Sequence, residues 1–416
     1  MKIRSITLFC DPGWPLNKGR VQQAAGFADE ARPAFEAAGI EVQTVRMATP
    51  SFARLLPDTR TETVVSFAQA LETELTPLGF EYIAIGPALP DDIKSYEAVP
   101  AVVAATENIF VSGIMASNEN GLSLPAVRAC AEIIHALAPQ DEVGFANLYF
   151  AALANVPPGT PFFPAAYHDG GSPTFAIATE AADLAVAAFT QSNNFVEARK
   201  NLIVALESNA RKLTSVAESL TGRFADSLNL RFGGLDYSLA PFPEEELSLG
   251  TALERLGVPA VGLHGSLAAA AFMTDAVDQA NFPRTGFSGL MLPVLEDSTL
   301  AARAKEGMLT IKDMLLYSTV CGTGLDTVPL PGDTTVGQLH AVLIDLAALA
   351  LRLDKPLTAR LMPIPGKAAG DLTGFDFAFF ANSRVLGLDA QLLTGHLAGD
   401  EQLSMKPRSW VERKDQ

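Results

Sequence analysis

The chain is poor in cysteine, in basic residues and in uninterrupted apolar runs, and each shortage removes a class of protein. Its three cysteines, Cys10, Cys130 and Cys321, are far apart and odd in number, which argues against a disulfide framework and fits a reducing compartment, the cytoplasm being the expected one. Lys and Arg number 30 against 47 Asp and Glu, a net charge of -17. Nucleic acid and an anionic membrane surface both demand a basic footprint, so neither is an expected partner. The first fourteen residues alternate as a strand does and lack a long apolar core, so no secretion signal is read there. The longest apolar candidate for a membrane span, residues 341–351, is interrupted by Asp345 and falls well short of the ~20 residues that a span requires. Histidine is also sparse. His135, His168, His264, His340 and His396 show no HxH, HxxxH or Cys/His pairing, so no zinc site of recognisable spacing exists.

What is present is a chain of 416 residues, 48% of them hydrophobic, enough for a large core. Residues 2–9, 41–46, 82–87 and 108–114 read as strands, and 21–38, 61–76 and 124–137 as helices, an alternation that predicts an α/β architecture with buried strands. No glycine-rich dinucleotide fingerprint follows the first strand. Further on, helices are predicted at 180–189, 195–220, 266–279, 312–317 and 336–353, and strands at 232–243, 289–294, 357–364 and 375–380. Residues 156–172 are too rich in proline and glycine for an element interior, and Phe162, Phe163 and Tyr167 make them apolar enough to pack. They read as a packed Ω-loop or as a lid over a pocket. No linker and no internal repeat interrupts the chain. Residues 1–416 form one large α/β domain, or two intimately packed lobes of about 1–190 and 191–416.

Residues 318–333 (STVCGTGLDTVPLPGD) read as a shaped loop, because Gly322 and Gly324 open backbone conformations closed to other residues while Pro329 and Pro331 stiffen its second half. Cys321 in that setting is a candidate nucleophile or redox centre, the alternative being a buried structural thiol. Asp236, at the end of a strand, is a candidate base, metal ligand or cap. His264 stands ahead of a helix and is the histidine best placed for general acid or base work. His168 belongs to the proline-rich loop and is a candidate lid contact. Arg360 interrupts an otherwise apolar strand, where it must clamp a ligand carboxylate or phosphate or pair with Asp326 or Asp371. Lys367, just beyond that strand, and the backbone at Gly322 and Gly324 complete the candidate substrate-binding set. Glu296, Asp297, Asp326 and Asp333 lie beside Gly or Pro loops and would make a site for a hard divalent metal ion if the loops converge.

Five strings together resemble one family: 159–168 (GTPFFPAAYH), 233–241 (GGLDYSLAP), 286–297 (GFSGLMLPVLED), 320–333 (VCGTGLDTVPLPGD) and 358–366 (TARLMPIPG). The chain resembles the proteins grouped as domain of unknown function 711, from the first strand to about residue 383. That family is similar in fold to pyruvate formate-lyase-type glycyl radical enzymes. The resemblance implies a ten-stranded α/β barrel, two five-stranded halves with a loop through the centre, and it implies Cys321 for the position of the thiyl cysteine. It does not bring the radical glycine, whose Arg-Val-x-Gly-Tyr context meets only 384–388 (RVLGL) here; the tyrosine is missing and Gly387 reads as a surface-turn glycine.

The expected function is therefore an enzyme acting on a small polar or anionic metabolite, with Cys321 as nucleophile or redox centre, Arg360 on the substrate, and His264 or Asp236 handling protons. A carboxylate-bound metal enzyme and a non-catalytic ligand-binding or scaffold protein that kept the barrel are the alternatives. An apolar-rich chain of this size is also open to self-association as a homo-oligomer.

Overall fold

The computed structural model describes residues 1–408. The strands are β1 (Lys2–Phe9), β2 (Val42–Ala48), β3 (Tyr82–Ala88), β4 (Ile109–Ser117), β5 (Gly121–Ser123), β6 (Phe150–Ala154), β7 (Thr174–Glu180), β8 (Arg231–Ala240), β9 (Gly324–Pro331), β10 (Leu357–Ile364) and β11 (Gln402–Leu403). They form one sheet of 11 strands, with nine in the order β8-β7-β1-β2-β3-β4-β6-β10-β9 and the short β5 and β11 paired beyond β4. The middle block β1-β2-β3-β4-β6 is parallel throughout. It is flanked on each side by an antiparallel step, to β7 and to β10, after which β8 and β9 again run parallel to their neighbours.

The two faces of this sheet are filled differently. One face carries the helices and the main core, with Ile3, Ile6 and Leu8 of β1 packed with helical residues such as Phe27, Phe35 and Leu202. On the other face lie small or aromatic strand residues: Phe9, Ala48, Ala84, Phe110 and Ala176 pack around Phe163 and Ala166, while Ala151, Leu153 and Ala240 pack around Phe162 and Ala165. The proline-rich loop, in its packed form, thus fills the face without helices. His168 N donates to Thr49 O at 3.0 Å, and Ser5 Oγ donates to Pro161 O at 3.4 Å, which ties the loop to the sheet.

Several elements differ from expectation for identifiable reasons. The second half of the 318–333 segment is strand β9 and not a loop; it is paired by a ladder only to β10, an edge position where Pro329 and Pro331 remove no ladder bond that the sheet needs. Residues 289–294 are not a ladder strand. Pro293 has no N–H to give, and the segment holds one bridge, to Asp326. The longer stretch 283–294 nevertheless reaches both sheet edges: Leu235 N of β8 donates to Pro283 O at 2.7 Å, and Val294 N donates to Asp326 O of β9 at 3.1 Å. Residues 375–380 are a flap and not a strand, because the Asn382 side chain takes both the N–H and the carbonyl of Phe375 and a turn joins Phe377 to Phe380. Helix Val336–Leu353 is, among the described residues, the one helix long and apolar enough to cross a membrane. Here it packs on helix Leu124–Leu137 and on β6 and β10, burying Leu339, Leu343, Leu346 and Ala350.

Candidate functional site

On the face filled by the loop, the strands leave a cavity of about 100 Å³, bounded by Arg4 and Ser5 of β1, Gln43, Thr44 and Arg46 of β2, Tyr82 of β3, Asp236 and Ser238 of β8, and Arg360 of β10. Phe162 and Phe163 of the loop form one wall, and Phe377 and Phe379 of the flap stand at the side. The flap is pinned at its base, where Thr373 N donates to Ser383 O at 3.0 Å, and Phe379 at its tip is exposed.

The floor is a buried ion network. Arg360 Nε donates to Asp326 Oδ1 and its Nη2 to Glu296 Oε1, both at 2.6 Å, while the other oxygen of Glu296 takes Arg4 Nη2. Side-chain exposure is 5% for Arg360, 4% for Glu296 and 0% for Asp326. Burial alone would push Glu296 up, but the guanidiniums of Arg4 and Arg360 outweigh it and hold the carboxyl below its usual range. Asp326 goes the other way. Burial pushes it up, with Glu296 adding to the push, and Arg360 does not cancel it; Asp326 Oδ2 is buried without a hydrogen-bond partner.

Arg46 differs from its two neighbours. Its Nε donates to Thr44 Oγ1 at 2.8 Å, and its Cζ lies 5.3 Å from the Tyr82 ring centroid and 5.1 Å from that of Phe163. Burial, and then the charge of Arg4, push its pKa down to about 9. On the opposite wall Asp236 accepts from Ser238 Oγ at 2.5 Å and from the N–H groups of Phe287 and Ser288 at 3.0 Å. Burial still pushes its pKa up against those hydrogen bonds.

Of the residues singled out from the sequence, Asp236, Arg360 and Glu296 meet at the cavity, and Asp326 lies directly behind Arg360. Cys321 does not line it. The thiol is 1% exposed within the main core, and Lys355 Nζ donates to the Cys321 carbonyl. His264 is exposed just before helix Ser266–Gln279 and does not line the cavity. His168 is buried in the loop, its Nε2 3.2 Å from Gly171 O, and burial pushes its pKa down; it pins the loop and does not reach the cavity. Lys367 is half-buried beyond β10, with its carbonyl accepting from Gly332 N at 2.9 Å, also off the cavity.

The four carboxylates expected to converge on a metal do not. Asp333 is exposed, Asp297 accepts from five donors that cap two helices, and Glu296 and Asp326 are held by guanidiniums. Among the described residues no three His, Cys, Asp or Glu side chains are grouped to hold a metal ion. The sequence reading missed Arg4 and Arg46. Arg46 is the one charge in β2, and Arg4 follows Lys2 in β1; both stand in strands with an apolar inward pattern, the same signal that drew attention to Arg360.

Gly322 and Gly324 also turn out to be packing positions. A Cβ on Gly322 would lie 3.3 Å from Gly289 Cα, where two backbones pass closely. Gly324 has φ +105°, and its Cβ would lie 2.4 Å from Thr358 O on the neighbouring strand. Gly324→Ala is therefore expected to lower the unfolding free energy by more than about 2 kcal/mol, from left-handed strain and the loss of β9–β10 pairing. A urea midpoint equal to wild type would contradict this.

Fold and cavity together define an α/β protein with one extended mixed sheet that lines a charged cavity on its face without helices. Residues 1–381 match the sequence model of the family described as Uncharacterised ACR (DUF711), and the chain belongs to that family. It is 33% identical over 356 residues to the UPF0210 protein of Pyrobaculum islandicum, covering 82% of this chain and 78% of the relative. The UPF0210 protein of Methanopyrus kandleri is 34% identical over 322 residues, 74% of this chain and 71% of the relative. That of Neisseria gonorrhoeae is 28% identical over 347 residues, 81% and 77% respectively.

Proposed function

We propose that the chain is an enzyme that turns over a small polar metabolite in the cavity between β1, β2, β8 and β10, with Asp236 as the proton-handling group. The observation that carries this is a carboxyl pushed up by burial, hydrogen-bonded to the Ser238 hydroxyl in the wall of an aromatic-lined cavity. Perturbed titratable groups in such cavities are the usual mark of acid–base sites. Arg4, Glu296 and Arg360 act as a rigid floor, since their charges are spent on one another. Cys321, His264 and a bound metal have no part in this reading.

The architecture behind this reading is the barrel implied by the resemblance to glycyl radical enzymes. It is supported by the five-stranded parallel block and by the irregular segment 283–294, which hydrogen-bonds to both β8 and β9 and so bridges the two sheet edges. In this arrangement the loop 156–172, and not the Cys321 segment, occupies the centre.

The test is consumption of compounds from a mixture of small metabolites, monitored by mass spectrometry. Wild type is expected to deplete a component that Asp236→Asn leaves intact, with Ser238→Ala slowed. Because Asp236 also accepts two backbone N–H groups, each variant's melting curve is recorded alongside. A folded Asp236→Asn protein that consumes the same component at the wild-type rate would overturn the assignment.

A further inference from the structure

Three guanidiniums border the cavity, and two of them are accounted for. Arg4 is paired with Glu296, and Arg360 with Glu296 and Asp326. Among the described residues Arg46 has no carboxylate within ion-pair distance, and only its Nε has a hydrogen-bond partner, the hydroxyl of Thr44 on its own strand. Arg46 is half-buried in the cavity wall, and its two Nη groups, with up to four N–H donors, have no protein acceptor among the described residues. A guanidinium drawn partly out of water without a paired counter-charge is costly, and here the charge of Arg4 repels it while Glu296 and Glu81 attract it from beyond ion-pair distance. The Tyr82 and Phe163 rings flanking it soften that cost but supply no acceptor in the guanidinium plane.

We infer that Arg46 is the anchor for the carboxylate of a small organic acid whose apolar body lies against Tyr82, Phe110 and Phe163. The inference rests on the cavity being the ligand site, and it names the class of ligand. Three features of the wall select this class. A planar guanidinium flanked by two rings presents paired donors to a planar two-oxygen acceptor, which is the geometry of a carboxylate. The rest of the wall near Arg46 is apolar and aromatic: Tyr82 and Phe110 are in edge contact at 5.2 Å, and Phe110 and Phe163 are 5.5 Å apart. The volume of about 100 Å³ is below the ~150 Å³ of an apolar cavity that admits benzene, so the acid has few heavy atoms or displaces Phe377 and Phe379 as it enters. The ligand brings one negative charge to the one guanidinium that has no carboxylate.

The experiment measures melting temperature and calorimetric binding for wild type, Arg46→Met, Arg46→Lys and Ala178→Leu, the last filling the cavity without touching a charge. The probes are butyrate and benzoate, their uncharged amides, and inorganic phosphate. Wild type is expected to be stabilised by at least one acid and by neither amide. Arg46→Met is expected to melt at a higher temperature than wild type when empty, because it removes the unpaired charge and packs between the same rings. Its response to the acid should fall by on the order of tenfold or more, with Arg46→Lys between the two.

The outcomes separate the two claims. Acid and amide binding equally, both blocked in Ala178→Leu, would keep the cavity as the ligand site and overturn the carboxylate class. Binding of the acid that survives in Ala178→Leu would overturn the cavity reading itself. An Arg46→Met protein that responds as wild type, stabilisation by phosphate alone, or no shift of wild type by either acid would each overturn the role of Arg46.

Discussion

Arg360→Met is expected to lower the unfolding free energy by about 3–5 kcal/mol at neutral pH, the usual cost of removing one partner from a buried ion pair. The reason lies in what remains. Glu296 keeps Arg4, but Asp326, fully buried and already with one oxygen unpartnered, loses the one hydrogen-bond donor its side chain has among the described residues. The pH dependence is set by the direction of each shift. Asp326 is pushed up in the folded protein, and loss of Arg360 pushes it further, so folded Asp326 holds a proton that an unfolded Asp, at about 3.9, releases. Its contribution to stability falls as pH rises from that value through the folded one. Glu296 is held low, so its contribution is present above the unfolded value of about 4.3 and is lost only as pH falls through the folded value. The deficit of Arg360→Met should therefore shrink as pH falls below neutrality and Asp326 protonates. Adding Asp326→Asn should recover part of it. Urea midpoints at neutral and at mildly acid pH decide the matter: a deficit that stays constant or grows in acid would show that Asp326 is not the stranded group.

How far the sequence led to this network can be argued residue by residue. Strands β1 and β10 and helices Leu124–Leu137, Ser266–Gln279 and Val336–Leu353 stand at the positions that periodicity gives, because their apolar pattern is long and their ends are marked by caps or turns. Strands β6 (FAALA) and β7 (TFAIATE) were not legible. Their alanines are poor strand formers, and they are small because Phe162 and Phe163, from the loop that joins these two strands, come down on that face. The flap at 375–380 imitates a strand through its phenylalanines, and only the Asn382 contacts reveal the turn. For the site, Arg360 was visible as a charge in an apolar strand. What linear spacing could not give is that β1, β2, β8 and β10 line one cavity, since that depends on strand order and not on distance along the chain. The glycines and cysteine of 318–333 drew attention for the opposite reason: their composition is that of a functional loop, but backbone proximity to Gly289 and Thr358 explains it.

Asp297→Asn should be nearly as costly as Arg360→Met, although it keeps the shape of the side chain and removes only a charge. Asp297 Oδ1 accepts from Ser248 Oγ at 2.6 Å, Thr299 N at 3.0 Å and Leu300 N at 2.9 Å. Its Oδ2 accepts from Leu249 N at 2.6 Å and Gly250 N at 3.1 Å. One carboxylate thus closes the first turns of two helices, Leu249–Arg255 and Ser298–Lys305, which have no other side chain able to take so many N–H groups. An amide has one accepting oxygen. Whichever way it is turned, its NH₂ group meets at least two donors, which are buried and cannot turn to water. At about 1–3 kcal/mol for each donor left unsatisfied, the loss is about 2–6 kcal/mol. Asp297→Ala, which removes the clash but strands all five donors, should be no better. Burial raises the pKa of Asp297, so in the folded protein its carboxylate takes up a proton before an ordinary one does, and its contribution to stability is greatest below the unfolded value and falls as pH rises through the folded one. A metal-ligand role for the same residue makes a different prediction: the effect of the substitution would be reproduced by a chelator in the wild type and relieved by excess divalent cation. Thermal melts of both proteins with and without chelator distinguish the two, and insensitivity of the wild type, together with a large fixed deficit in Asp297→Asn, is the result expected of a carboxylate whose ligands are backbone N–H groups.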